Sequence, residues 1–306
     1  MTLRWRTKTT IERLLAFAAQ RLQSPLSRRR SLILAYHNIL APGSEPLGDK
    51  SLHLPFDAFR HQLDLVQRRA NVVPLDAALR RDQVANELPT VAITFDDAYL
   101  GAVEWGVAEL GGRALPATVF VCPGLLGGET FWWDALSDAE TDSSRRPVRE
   151  HALTVLEGRA APIRAWARSQ GLSWREMPDH CRTADEGTLR LMAASPGVSL
   201  GAHTWSHPNL GSLSREAVDT ELRQSHGWLI ARRVPMTLAL AYPYGIPPRA
   251  PEAAMPAAGF SHGLLASGGW SGPRQVDTWR VPRFNVAAGL STDGLLLRLS
   301  GWVVSG

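Results

Sequence analysis

The chain is expected to be an α/β protein built on a parallel sheet, open or closed. Two observations point there. Short apolar, β-rich runs recur along the sequence, and segments with helical periodicity separate them. A length of 306 residues also permits an α/β barrel to be one domain rather than two.

Residues Ser31 to His37 (SLILAYH) form the first buried-strand candidate, ending on His37, and the Pro- and Gly-containing stretch after it reads as a loop. From Phe56 to Ala70, the apolar residues Phe56, Phe59, Leu63 and Val66 recur at three- and four-residue intervals, which predicts a helix with one face on a core. Thr90 to Phe95 (TVAITF) follows Pro89 and reads as a strand, so Asp96 and Asp97 stand at a strand's C-terminal end. Pro116 to Cys122, Val198 to His203 and Leu238 to Tyr242 repeat the strand pattern, with helix-like sequence at Ala102 to Leu110 and Ser214 to Arg233. Between Gly127 and Thr188 the pattern lapses into FWWDAL, an acidic and Ser-rich stretch, and helix-like sequence holding Trp166 and Trp174. This reads as an insertion, at about 127–190, over one loop of the barrel. No fixed-period repeat or heptad run is visible.

Composition excludes several classes. Hydrophobic residues at 44% and charged residues at 20% are those of an ordinary globular chain, neither disordered nor membrane-embedded. The net charge of +4 comes almost wholly from arginine, since the lysines are only Lys8 and Lys50. Arginines 4, 6, 13, 21, 28, 29 and 30 give residues 1–30 a basic character, read first as a solvated leading helix and second as a peripheral contact with an anionic membrane. No nucleic-acid partner is expected. Cys122 and Cys181 lack CxxC spacing and read as buried thiols. The longest N-terminal apolar stretch, Leu14 to Ala19, is too short for a secretory signal or a membrane span, so cytoplasmic residence is the default expectation.

The sharpest chemical signal pairs Asp96-Asp97 at one strand end with His203-x-x-x-His207 at another. Histidines four apart face one side of a helical turn, so both rings can reach one ion, and a carboxylate from a second loop completes a three-ligand set with positions open for water and substrate. Paired acids at buried strand ends repel one another and lose hydration, and an ion or a functional proton is the usual compensation.

TFDDAY (Thr94 to Tyr99), HTWSHP (His203 to Pro208) and AYPYG (Ala241 to Gly245) resemble, in order and spacing, the motifs of the polysaccharide deacetylase family, the NodB-homology or carbohydrate esterase family 4 group. LAYHNI (Leu34 to Ile39), FWWD (Phe131 to Asp134) and VPRFNV (Val281 to Val286) resemble a subgroup tied to bacterial surface polysaccharides. The fold expected is a distorted (β/α) barrel of about seven parallel strands with a helical insertion, the domain spanning 31–290 and leaving 291–306 as a C-terminal segment. The resemblance implies that Asp97, His203 and His207 bind a divalent metal, zinc being the expected ion, and that Asp96 is the general base. It further implies that the backbone amide of Tyr244 steadies the oxyanion. A metal-bound water is acidic enough to lose its proton near neutral pH, and an adjacent unligated carboxylate can take it.

The sequence departs from the family pattern in two places. No leucine-x-histidine motif supplies the general acid near the end, where the nearest late histidine is His262 in GFSHGLL. His37, at the end of the first strand, is the better candidate, since a C-terminal strand end points to the same face as the acids. Ala241 stands where the common RxPY motif has its arginine, and Arg283 is a candidate to hold Asp96 instead. Trp132, Trp133, Trp205 and Trp270 lie near motif loops and suit stacking on sugar rings, with only one of Trp132 and Trp133 expected to face the cleft.

The function expected is metal-dependent hydrolysis of an acetyl group, N-acetyl favoured over O-acetyl, from a glycan or its lipid- or nucleotide-linked precursor. Two alternatives are a non-haem iron oxygenase, whose ligands are also two histidines and a carboxylate, and a carbohydrate-binding protein with a degenerate site. The extra Asp96 favours hydrolysis.

Overall fold

Seven parallel strands close on themselves: β1 (Ser31–Tyr36), β2 (Thr90–Phe95), β3 (Ala117–Val121), β4 (Val198–Ala202), β5 (Met236–Ala241), β6 (His262–Gly268) and β7 (Val281–Asn285). Each pairs with the next, and β1 pairs with both β2 and β7, which makes the sheet a barrel. The computed structural model describes residues 30–80, 88–136, 142–272 and 277–301. The basic N-terminal segment, apart from Arg30, and residues 302–306 of the C-terminal segment lie outside the described residues.

Closure explains why these strands read as unbroken apolar runs: both faces are buried. Ile33, Ala92, Phe120, Ala239, Ala241 and Leu264 pack together in one cluster, while their neighbours Leu32, Leu34, Val91, Ile93, Val119 and Val121 join a second with the helices. Small alanines at 92, 239 and 241 leave room for Phe120 and for the buried side chain of Arg283, whose guanidinium lies 5.5 Å from the Phe120 ring centre. Leu75 and Ala78, from the short helix Leu75–Ala78, join the same cluster.

The longer helices are α1 (Phe56–Arg69), α2 (Asp142–Thr154), α3 (Ala160–Ser169), α4 (Glu186–Ala193), α5 (Arg215–Arg232), α6 (Pro251–Ala257) and α7 (Thr292–Leu299). α1 buries Phe59, Leu63 and Val66, places Asp57 in its first turn and Arg68 and Arg69 in its last, and so suits the helix dipole at both ends. α5 starts on Ser214, whose side chain caps the Ala217 amide. The helix read over Ala102 to Leu110 instead starts as a π-helix over Ala102–Val107 and turns α-helical over Ala108–Gly112. There Gly106 seats so closely that a Cβ would stand 2.9 Å from the Ile39 side chain.

The final two barrel strands carry no clear strand signal in the sequence. Gly263 and Gly268 dilute β6, and Pro282, which has no amide to donate, interrupts β7 where the register shifts between Val281 and Arg283. Between β3 and β4 lie the short helix Trp132–Ala135, α2, α3 and α4. A side ribbon pairs Asn38–Leu40 with His53–Pro55 beyond the end of β1.

Candidate metal and active site

The functional side chains gather where the strands end. Asp96 and Asp97 follow β2, His203 follows β4, Tyr242 to Gly245 follow β5, and His37 follows β1. The C-terminal rim of a parallel barrel is where loops from several strands can meet one ligand. A cavity of about 190 Å³ lies there, lined among others by His37, Asp96, Asp97, Trp133, His203 and His207.

Asp97 Oδ1 stands 3.4 Å from His203 Nε2 and 3.2 Å from His207 Nε2, all three residues being buried. One donor atom from each lies within 4.8 Å of the others. Asp97 Oδ1 has no hydrogen-bond partner although it is buried, the condition that a cation would relieve. Two nitrogens and one carboxylate oxygen, converging from separate loops, fit a divalent metal of the zinc class.

The two histidines do not lie on a helical turn, contrary to the expectation from their spacing. Residues 203–207 form an irregular loop in which Thr204 (φ 65°) and His207 (φ 60°) are left-handed. What turns the rings together is side-chain anchoring. His203 Nδ1 donates to the Ala241 carbonyl at 2.7 Å, which leaves Nε2 facing Asp97. The His207 amide donates to Thr204 Oγ1. Glu221 of α5, buried, accepts from the amides of Trp205 and Ser206 at 2.9 and 2.8 Å and from the Ser206 hydroxyl at 2.6 Å. Asp97, Ala98 and Tyr244 are left-handed as well, so five of the eight such non-glycine residues described belong to these rim loops. Backbone strain of about 1–3 kcal/mol each persists only where the surroundings impose it, and it gathers at working sites.

Electrostatics sort the charges. Burial resists ionisation of Asp97, but His207 and His203 outweigh it and hold the carboxyl well below the usual range. Burial likewise opposes the charge on Asp96, and Arg283 prevails, with Nη1 at 2.7 Å and Nη2 at 2.6 Å from its two oxygens. Arg283 is itself fixed by the Leu265 carbonyl, 2.7 Å from Nε. Burial lowers the pKa of His207, favouring the neutral ring that a metal needs, whereas at His203 the charges of Asp96 and Asp97 overcome burial and raise it.

The remaining candidates separate cleanly. His37 lines the cavity, half-buried, but His262 lies at the start of β6, the opposite end of the barrel, and is too misplaced to serve as the acid. Tyr244 sits in the turn after β5 with φ 58°, its ring edge-on to His207 at 4.6 Å. Trp133 lines the cavity, and Trp132 packs behind it and donates to the Tyr244 hydroxyl at 3.0 Å. Trp270 does not serve the cleft: it pairs with Leu32 at the start of β1 and donates to the Arg298 carbonyl. Trp205 packs on Gly124. Cys122 and Cys181 are buried free thiols. Sequence reading missed Glu221, which sits mid-helix with no motif around it, and Arg149 of α2, which lines the cavity beside the Trp132 and Tyr244 rings.

A family model described as polysaccharide deacetylase matches residues 83–262. No curated protein matches the chain. Among solved structures, the chain is similar to the Streptococcus pyogenes deacetylase PplD in complex with acetate, at 18% identity and TM-score 0.61 over 88% of this chain and 98% of that one. It is similar to IcaB from Ammonifex degensii at 18% identity and TM-score 0.61, over 91% and 99% of the two chains. The BpsB deacetylase domain from Bordetella bronchiseptica aligns at 18% identity and TM-score 0.54, over 86% and 97%.

Proposed function

The chain belongs to the polysaccharide deacetylase family, and on that premise we propose that it strips N-acetyl groups from a hexose-based glycan by metal-assisted hydrolysis. Membership makes it a deacetylase, a hydrolase, and favours this reading over the iron-oxygenase and binding-only alternatives. The observation that carries the reading is the meeting of Asp97 Oδ1 with two imidazole Nε2 atoms beside an unligated Asp96, at the rim of one cavity.

Asp97, His203 and His207 would hold a zinc ion, which when bound supplies Lewis acidity toward the acetyl carbonyl and the attacking water. Asp96, ionised and fixed in orientation by Arg283, takes a proton from that water as its oxygen bonds to the acetyl carbon. The backbone amide of Tyr244, presented by a left-handed turn, donates to the oxyanion that forms. His37 then gives a proton to the sugar nitrogen as the C–N bond breaks, releasing acetate and a free amine. Trp133 forms the apolar wall against which a sugar ring packs. The polymer and its lipid- or nucleotide-linked precursors present the same acetamide to these groups.

Acetate release from acetylated chito-oligosaccharides and from acetylated xylan, with and without a chelator, tests the reading. The chito-oligosaccharides are expected to be the faster substrates, with activity lost to the chelator and restored by zinc. Asp96→Asn should keep zinc without turnover, and His203→Ala should lose both. Turnover indifferent to the chelator would overturn the metal role, and a preference for xylan would overturn the amide preference.

A further inference from the structure

We infer that Asp134 is a positioning residue that ties together the two walls of the cavity and sets Trp133 against His207. This rests on the deacetylase reading for its consequence, but its geometry stands apart from it. Asp134 closes the FWWD element and is fully buried. Its Oδ1 accepts from the Asp49 amide at 2.9 Å and lies 3.0 Å from His53 Nε2, while Oδ2 accepts from the Tyr99 hydroxyl at 2.7 Å. The Tyr99 hydroxyl in turn accepts from Trp133 Nε1 at 2.9 Å. Trp133 stacks on Phe131 at 4.5 Å and reaches the His207 ring at 4.8 Å.

Four segments therefore meet at one carboxylate: the loop carrying Asp49, the ribbon strand carrying His53, the turn after β2 carrying Tyr99, and its own short helix. Asp49, Ser51 and Leu52 form one side of the cavity, and Trp133 forms part of another. The loop is pressed onto this point, since a Cβ on Gly48, which has φ +74°, would stand 2.5 Å from Asp134 Oδ1. Asp49 extends the connection by accepting from the Ser51 amide and hydroxyl.

Only an acceptor-only group answers three converging donors. An asparagine of the same shape would turn an NH2 toward one of them; facing Tyr99, it would leave the hydroxyl proton without its acceptor and crowd a second donor beside the Trp133 indole N–H. The stake is substrate grip rather than bond breaking, because Trp133 is the wall and His207 the ligand that it abuts.

The test compares Asp134→Asn with the wild type by two readouts. The first is the indole N–H resonance of Trp133, assigned by its loss in Trp133→Phe. The second is the steady-state kinetics of acetate release from triacetylchitotriose at equal zinc stoichiometry. The expected result is a displaced indole resonance and a KM raised about tenfold, with kcat within about twofold of wild type. Tyr99→Phe removes the same link and should give the same split, so it carries the test if Asp134→Asn fails to fold. An unmoved resonance, or activity lost only in proportion to folded protein at unchanged KM, would overturn the inference. If the wild type released no acetate, the deacetylase reading would fail by itself, and the resonance would still decide whether Asp134 sets Trp133.

Discussion

Arg283 holds both carboxylate oxygens of Asp96 from β7, the strand that closes the barrel onto β1. The usual arginine position, 241, is an alanine whose carbonyl orients His203 instead. Restraint of Asp96 and orientation of His203 are thus met by different parts of the chain.

Replacing Arg283 with Met leaves the Asp96 charge buried and unpaired. Such a break costs about 3–5 kcal/mol, so Arg283→Met should melt well below wild type, and its acetate release should fall by about 100-fold through misorientation of the base. The double change Asp96→Asn with Arg283→Met should recover most of the lost stability while remaining inactive. Thermal denaturation of the three variants checks this, and a double variant no more stable than Arg283→Met alone would count against it.

Glu221 touches neither His203 nor His207 directly, yet it holds the loop between them. Glu221→Ala is expected to weaken zinc binding by about 10–100-fold while the barrel stays folded. Competition titration with a chromophoric chelator reads the affinity, and circular dichroism reads the fold.

These two residues mark where the sequence was informative and where it was not. Strands β1 to β5 were legible because burial on both faces demands apolar runs, and the grouping of Asp97, His203 and His207 was legible because the few residue types that can hold a metal stand out in sequence. Asp97, His203 and His207 do meet, but the spacing of the histidines suggested a helical turn, and left-handed residues with Glu221 do the work. β6 and β7 were obscured by Gly263, Gly268 and Pro282, whose roles depend on tertiary neighbours. Trp270 illustrates the converse: proximity to a motif in sequence placed it near the cleft, and strand direction takes it to the other end.

His37 is proposed to protonate the leaving nitrogen. His37→Gln should retain zinc and bind substrate, with kcat reduced by about 10²–10⁴. A kcat within twofold of wild type would remove His37 from the mechanism.

His53 is expected to make stability pH-dependent. Burial opposes its protonation, but the hydrogen bond that the ring donates to Asp134 outweighs it, with Cys181 adding, and the ring is pushed up to about 10. Tyr99 packs edge-on, His180 interacts with the ring electrostatically, and the Asn38 amide lies 3.0 Å from Nδ1. With its oxygen toward the protonated ring, that amide would accept a bond and give the otherwise unpaired Asn38 Oδ1 a partner. The folded value lies above the ordinary 6.5, so the contribution is complete below about pH 6.5 and is lost as pH rises through about 10. Urea unfolding from pH 6 to 10 should show stability falling across this window, and His53→Gln should flatten that slope. An equally steep fall in the variant would assign the effect elsewhere.

The convergence of Asp97, His203 and His207 on one cation is tested most directly by anomalous diffraction at the zinc edge from crystals of the zinc-loaded protein. A single strong peak is expected at about 2.0–2.2 Å from Asp97 Oδ1 and from the Nε2 atoms of both histidines. A peak bound elsewhere, or no peak at these three atoms in protein that releases acetate, would contradict it.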